Sequence, residues 1–160
     1  MLLDSNGINK DNVITVEPGT FAITNKKQTV LATDNTFSCT NFLAYTDKFA
    51  YLLHMLPSEA IGRNQKFIDH LDQLKICLKQ YYKTFSTLNV RIICGVVENS
   101  ENDYKVHNLK YVNEQLKQLE DYCLENGIEF NRLEDKISRY VIFDYQNDYL
   151  ITEEKKTKYF

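Results

Sequence analysis

The sequence predicts a single domain of the α/β class, an α/β sandwich with mixed or antiparallel sheets and two main helices. The first third alternates short β-branched and aromatic runs with turn signals. Two later segments repeat apolar residues at helical spacing, and a strand-like run follows each of them. This alternation is typical of sheets that carry their helices on one side. A chain of 160 residues is long enough for one sizeable core.

The N-terminal third is predicted to consist of strands. The polar residues 1–12 predict a flexible N-terminus, residues 13–152 the folded domain, and the charged residues 153–160 a tail. Pro18-Gly19 is a strong turn signal between the first two strands. In order, the predicted strands are Val13–Val16, Thr20–Ile23, Thr29–Ala32 and the hairpin arms Thr36–Tyr45 and Phe49–His54.

Helices and strands alternate in the rest of the chain. A helix is predicted from Lys66 to about Phe85, and a second from about Asn108 to the C-cap signal Asn126-Gly127. Between them, the nearly all-apolar run Leu88–Val97 predicts a central strand buried on both faces, after which Glu98–Lys105 is expected to be a loop. The last predicted strands are Ile128–Leu133, Arg139–Phe143 and Tyr149–Thr152.

Composition excludes some classes of partner. The net charge of −3, with no basic stripe, argues against nucleic acid. No segment approaches the ~20 apolar residues of a membrane span, so no membrane insertion is expected. The first residues lack the basic and apolar regions of a signal peptide.

The four cysteines match neither a redox motif nor a common zinc site, so no metal is expected. Cys77, Cys94 and Cys123 fall at apolar positions of predicted elements. They are interpreted as reduced core residues, and the chain as cytoplasmic.

Cys39 and His54 lie on the two arms of the predicted hairpin. A turn centred between Thr46 and Asp47 sets them directly opposite each other, with Cβ atoms about 5 Å apart. A longer turn makes the pair diagonal but keeps it within reach. An imidazole at such a distance takes a thiol proton, and the thiolate is the nucleophile of cysteine enzymes. The alternative is a small core cysteine with a histidine satisfied elsewhere.

A catalytic histidine needs a third group that fixes its orientation and tautomer. The loop Thr33–Ser38 leads into Cys39, and each of its first four residues qualifies. The alternative is a solvated loop whose Asp and Asn form turns. Asn35 and Asn41 are further candidate donors that the sequence does not distinguish.

Three spacings carry a family resemblance. Thr33 lies six residues before Cys39, Ser38 directly precedes Cys39, and His54 is followed by Met55-Leu56-Pro57. This pattern resembles the CheD family of chemoreceptor glutamine deamidases, in which a Thr precedes a Ser-Cys nucleophile and the catalytic His stands shortly before Met-Leu-Pro. The order of later elements is also similar, with Arg139-Tyr-Val141 at the place of the family's Arg-x-Val strand. The resemblance covers about residues 13–152.

The resemblance implies a CheD-like fold and a cysteine-dependent hydrolase that converts glutamine side chains of a protein substrate to glutamate. Cys39 is then the nucleophile, His54 the proton carrier and Thr33 the orienting residue. Ser38, which matches the family's Ser-Cys pair, and Asn35 of the preceding loop are candidate contacts to substrate or oxyanion, and no cofactor is expected.

Departures from the family indicate another substrate. The loop before Cys39 contains no Gly, and the segments Phe49–Leu53 and Arg132–Ser138 are bulkier and more charged than the family's. Bacterial toxins and effectors share this architecture, which implies action in the chain's own cytoplasm or in a host cell. The alternatives are a catalytically inactive CheD-like binding module, and a cysteine peptidase or transglutaminase that uses the same dyad.

Overall fold

The computed structural model describes residues 8–34, 39–56, 65–81, 87–95 and 102–152, with the backbone alone at 65–67, 81 and 102–111. They form an α/β domain with two α-helices and mixed sheets, as the sequence predicts. Neither of these helices is long and apolar enough to cross a membrane. In order, the elements are β1 (Val13–Thr15), β2 (Phe21–Thr24), β3 (Val30–Thr33), β4 (Thr40–Tyr45), β5 (Ala50–Met55), α1 (Gln65–Tyr81), β6 (Thr87–Cys94), α2 (Asn102–Glu125), β7 (Glu129–Arg132), β8 (Lys136–Ile137), β9 (Val141–Asp144) and β10 (Tyr149–Thr152).

The strands make two sheets. One has four strands in the order β1-β3-β9-β10, and the other has the order β2-β5-β4-β6-β7, with β8 also paired to β6. β1 runs parallel to β3, and β7 and β8 run parallel to β6. The other pairs are antiparallel. β4 and β5 are therefore central strands, and each has a neighbour on both sides.

The two faces of the six-stranded sheet contact different layers. Every residue of β4 and β5 is buried, which explains why both sequences are almost entirely apolar. On one face, Phe42 and Leu53 join an apolar cluster with both helices. On the other face, Leu43 and Leu52 pack against Phe143 of the four-stranded sheet. The layer order is helices, six-stranded sheet, four-stranded sheet.

The register of the β4–β5 hairpin differs from the expected one. His54 lies opposite Asn41, so the prediction that it directly faces Cys39 is wrong. Thr46 is the cause: its backbone N–H donates to Phe49 O at 2.9 Å, and its hydroxyl accepts from the backbone N–H groups of Lys48 and Phe49. These bonds centre the turn on Asp47-Lys48, one residue later than expected. Because the partner of His54 shifts by two residues, every side chain keeps its face.

Three other expectations need correction. α2 begins at Asn102, inside the expected loop, because its first turns are polar and show no apolar repeat. β8 was not expected, since two residues are too few for a pattern. β6 is buried on both faces only at its end, because Asn89 and Arg91 are partly exposed. The C-cap prediction is confirmed: Gly127 has a φ of 69°, and Ile128 N–H donates to Cys123 O at 2.8 Å.

Tyr51 of β5 is a polar exception in the core beneath the helices. Its ring stacks on Phe21 with centroids 5.2 Å apart and meets Phe42 edge-on. No group of the described residues hydrogen-bonds its hydroxyl, although the side chain is 1% exposed. Burial raises the pKa of Tyr51 far above its usual value. The hydroxyl therefore costs stability, because it has lost water without gaining a partner among the described residues.

We expect Tyr51→Phe to raise the free energy of unfolding by about 1 kcal/mol at pH 7, because it removes a buried hydroxyl to which no described residue hydrogen-bonds. Above about pH 10 the unfolded state loses this proton while the folded state keeps it, so wild-type stability falls as the pH rises. The advantage of the variant should therefore grow in alkali. Urea unfolding at pH 7 and pH 10.5 measures both effects.

Tyr145→Phe is the matched control, because the Tyr145 hydroxyl donates to Thr46 O at 2.9 Å. This variant should lose stability at pH 7. A Tyr51→Phe protein that is also less stable at pH 7 would contradict the assignment.

Candidate active site

The backbone of His54 is held on one side by a turn. Its N–H donates to Thr20 O at 3.0 Å, and its carbonyl accepts from Gly19 N–H at 2.8 Å. Gly19 has a φ of 79°, and Thr20 N–H closes the turn onto Glu17 O at 3.1 Å. This is a glycine bulge, in which only a residue without Cβ takes the left-handed position at no cost. The bulge fixes the point from which the imidazole projects.

Thr33 fixes the tautomer of the imidazole. Its hydroxyl donates to Val16 O at 2.7 Å, and the same Oγ1 lies 2.7 Å from His54 Nδ1. A hydroxyl has one proton, and Val16 receives it. Thr33 must therefore accept from His54, which places a proton on Nδ1. In the neutral ring, Nε2 then carries a lone pair and is the basic nitrogen.

This hydrogen bond joins the two sheets. Thr33 ends β3 in the four-stranded sheet, and His54 belongs to β5 in the other sheet. Val16 is itself anchored, because its N–H donates to Ala32 O at 2.7 Å. Thr33 and His54 are 4% and 0% exposed, so water competes little for these bonds.

Cys39 lies at the same end of the sandwich, directly before β4. Its carbonyl accepts from Gly95 N–H at 2.9 Å, which continues the β4–β6 ladder. Cys39 is two residues from Asn41, so the two share the face that carries His54. Cys39 and His54 are therefore diagonal neighbours. Such neighbours are about 7–8 Å apart, within reach of a long side chain such as imidazole.

Asn41 is the site residue that sequence reasoning did not distinguish. It lies directly opposite His54 and is 0% exposed. His54 uses its backbone N–H and C=O on β2, so it faces Asn41 in a non-hydrogen-bonded pair, where side chains come closest. No described group hydrogen-bonds Asn41 Oδ1 or Nδ2. The sequence signal for Asn41 was its spacing of two residues from Cys39, which puts both side chains on one face. Only the correct hairpin register shows that Asn41 lies opposite His54.

The remaining cysteines lie elsewhere. None of the four forms a disulfide, and Cys94 and Cys123 belong to the cluster under the helices, as predicted for core residues. Cys77 packs at the edge of that cluster and is only partly buried. Burial raises the pKa of the Cys77 thiol, and burial together with Glu120 raises that of Cys123 to about 11. Cys39 alone among the cysteines shares a face with His54.

Arg139 and its neighbours border this end of the sandwich. The last rung between β3 and β9 pairs Thr33 with Val141, two residues after Arg139. Ser138 N–H donates to Cys94 O at 2.9 Å, one residue before the Gly95 that holds Cys39. Backbone hydrogen bonds therefore hold the segment that contains Arg139 close to Cys39 at the start of β4.

Two of the proposed site residues cannot be placed, because Ser38 and Asn35 lie outside the described residues. Within the described ranges, no cluster of three His, Cys, Asp or Glu side chains is arranged to hold a metal ion. Comparison with models of known protein families gives no match, and comparison with curated proteins gives none either.

We expect Thr33→Val to lower the free energy of unfolding by about 2 kcal/mol, because His54 Nδ1 and Val16 O both lose a buried partner. The neutral ring should also lose its preference for the Nδ1–H tautomer. Denaturant unfolding measures the first effect, and the ¹⁵N chemical shifts of the His54 ring measure the second.

Thr24→Val is the control, since Thr24 and Thr29 form another buried hydroxyl pair, 2.9 Å apart, at the far end of β2. It should cost some stability and leave the His54 ring unchanged. A His54 spectrum that does not respond to Thr33→Val would refute the assigned tautomer.

Proposed function

We propose that this protein is a cysteine-dependent protein glutamine deamidase. The observation that carries the proposal is the hydrogen bond from His54 Nδ1 to Thr33, whose own proton is committed to Val16. It leaves Nε2 as the basic nitrogen on the face that Cys39 shares. The CheD-like spacing of these three residues supports the same reaction.

The reaction assigns one role to each residue. His54 Nε2 takes the Cys39 proton, and the thiolate attacks the carboxamide carbon of a glutamine side chain. The tetrahedral intermediate collapses as His54 returns the proton to the leaving ammonia, and a thioester to Cys39 remains. His54 then removes a proton from water, which attacks the thioester. Glutamate leaves, the thiol is restored, and no metal or organic cofactor takes part.

Thr33 contributes by orientation. A buried hydrogen bond to Nδ1 holds the ring in one plane and stabilises the imidazolium that forms when the thiol is deprotonated. Because Thr33 is neutral, it stabilises that cation less than a carboxylate would. We therefore expect a moderate nucleophile, whose rate relies on precise positioning of the substrate.

The proposed substrate is a protein that carries an accessible glutamine. Four cysteines without a disulfide suit a reducing compartment. We therefore propose a cytoplasmic target, in the cell that makes the chain or in a host cell that receives it.

We expect iodoacetamide to alkylate Cys39 faster than any other cysteine at pH 7.5. The reason is that the raised pKa values of Cys77 and Cys123 leave those groups as thiols, whereas Cys39 shares its face with a basic imidazole nitrogen. Peptide mass spectrometry after short labelling measures the four rates. His54→Gln should slow the alkylation of Cys39, and of no other cysteine, by at least about tenfold. His70→Gln, on α1, is the control and should leave the alkylation rate of Cys39 unchanged.

Equal labelling of the four thiols, or a folded protein whose Cys39 stays unlabelled, would refute the proposal that this protein is an enzyme. Such a result would favour the inactive binding module.

The substrate can be identified with Cys39→Ser as the matched variant. We expect wild-type protein, added to a cell extract, to convert specific glutamines to glutamate, and Cys39→Ser to convert none. Quantitative mass spectrometry detects the mass gain at each site. Peptide cleavage or glutamine–lysine crosslinks in place of glutamate would assign a peptidase or a transglutaminase. A Cys39→Ser protein that keeps its full biological effect would assign a binding module.

A further inference from the structure

Asn41 is an anomaly in the core between the sheets. Its side chain is 0% exposed, yet neither Oδ1 nor Nδ2 has a hydrogen-bond partner among the described residues. Buried amide groups in folded proteins are nearly always paired, and each exception calls for an explanation. A leucine of similar size would fill this position without that cost.

The position of Asn41 suggests what its carboxamide binds. It lies opposite His54 in a close, non-hydrogen-bonded pair, and it follows Cys39 by two residues on the same face. A group attacked by Cys39 and protonated by His54 must occupy the space that these three side chains share. The donor and acceptor of Asn41, which have no partner among the described residues, lie on the face that Cys39 and His54 share.

We infer that Asn41 binds the substrate, holding the glutamine side-chain carboxamide by a pair of hydrogen bonds, an inference that rests on the deamidase proposed above. Asn41 Nδ2 donates to the carbonyl oxygen of the substrate, and the substrate NH₂ donates to Asn41 Oδ1. The two carboxamides are complementary, because each offers one donor edge and one acceptor.

The same pairing distinguishes substrate from product. A glutamate carboxylate offers acceptors only. It still accepts a hydrogen bond from Asn41 Nδ2, but its second oxygen faces Asn41 Oδ1, which is also an acceptor and repels it. Buried sites reject ligands that leave a polar group unpaired. Asn41 therefore favours the amide over the acid, and the acid leaves once it forms.

Two alkylating reagents test this inference without knowledge of the protein substrate. Iodoacetamide carries a carboxamide and iodoacetate carries a carboxylate. In both reactions the Cys39 sulfur bonds to the CH₂ carbon and iodide leaves. We expect the ratio of the iodoacetamide rate to the iodoacetate rate at Cys39, normalised to the same ratio at Cys77, to fall about tenfold in Asn41→Leu. The amide reagent loses one hydrogen bond more than the acid reagent, and the acid reagent is relieved of its unfavourable contact with Oδ1. The ratio cancels any change in the nucleophilicity of Cys39.

Asn89→Leu is the matched control. Asn89 lies on the neighbouring strand β6, and its Oδ1 accepts from Asn131 Nδ2 at 3.0 Å. Its loss should leave the ratio at Cys39 unchanged. Asn41→Leu should also melt at the same temperature as wild type or higher, since it removes buried polar atoms that have no partner in the described part of the chain.

Asn41→Ala provides a second test that does not depend on packing a leucine. An unchanged ratio in both Asn41 variants would overturn the role of Asn41 and leave the deamidase standing. Failure of both variants to fold would also overturn it, because Asn41 would then be structural. A wild-type Cys39 that reacts with neither reagent would overturn the deamidase and this inference together.

Discussion

The Thr33 hydroxyl is the interaction on which the rest of the site depends. It has one proton to donate and gives it to Val16 O, so it must accept from His54 Nδ1. That constraint determines the tautomer of the ring without a charged residue. It also joins the two sheets at a point where their contact changes from apolar to polar. Leu31, two residues before Thr33 on the same strand, belongs to the apolar cluster between the sheets.

The groups around this bond are placed by backbone rather than by flexible side chains. A glycine bulge at Gly19 holds both backbone polar groups of His54, and Gly95 holds the carbonyl of Cys39. Rigid strands place catalytic groups with smaller errors than loops do. The other three cysteines lie in or beside the helix-facing core, so the sheet separates them from His54. One thiol, one imidazole and one carboxamide therefore share a face.

The hairpin shows how far sequence patterns reach. Apolar and aromatic runs predicted both strands. The exact pairing was not predicted, because the Thr46 hydroxyl accepts hydrogen bonds from the backbone N–H groups of Lys48 and Phe49 and so centres the turn on Asp47-Lys48. The residue opposite His54 is Asn41 instead of Cys39, two positions further along β4, and side chains on a strand return to the same face every two residues. Cys39 and His54 therefore kept the same face although they are not opposite each other. The polar first turns of α2 and the two-residue β8 escaped prediction because neither carries a periodic apolar signal.

The sequence by itself determined the fold class, the order of most elements and the face that Cys39 and His54 share, because those depend on local periodicity. It placed Thr33 in a loop, whereas Thr33 ends β3. Tertiary structure alone decided that Asn41 stands opposite His54 and that Val16 takes the proton of Thr33. Those outcomes depend on the register of a turn and on the contact of two sheets, and residues far apart in the chain meet there. No local pattern encodes which carbonyl receives a single hydroxyl proton, yet that choice makes His54 Nε2 the basic nitrogen.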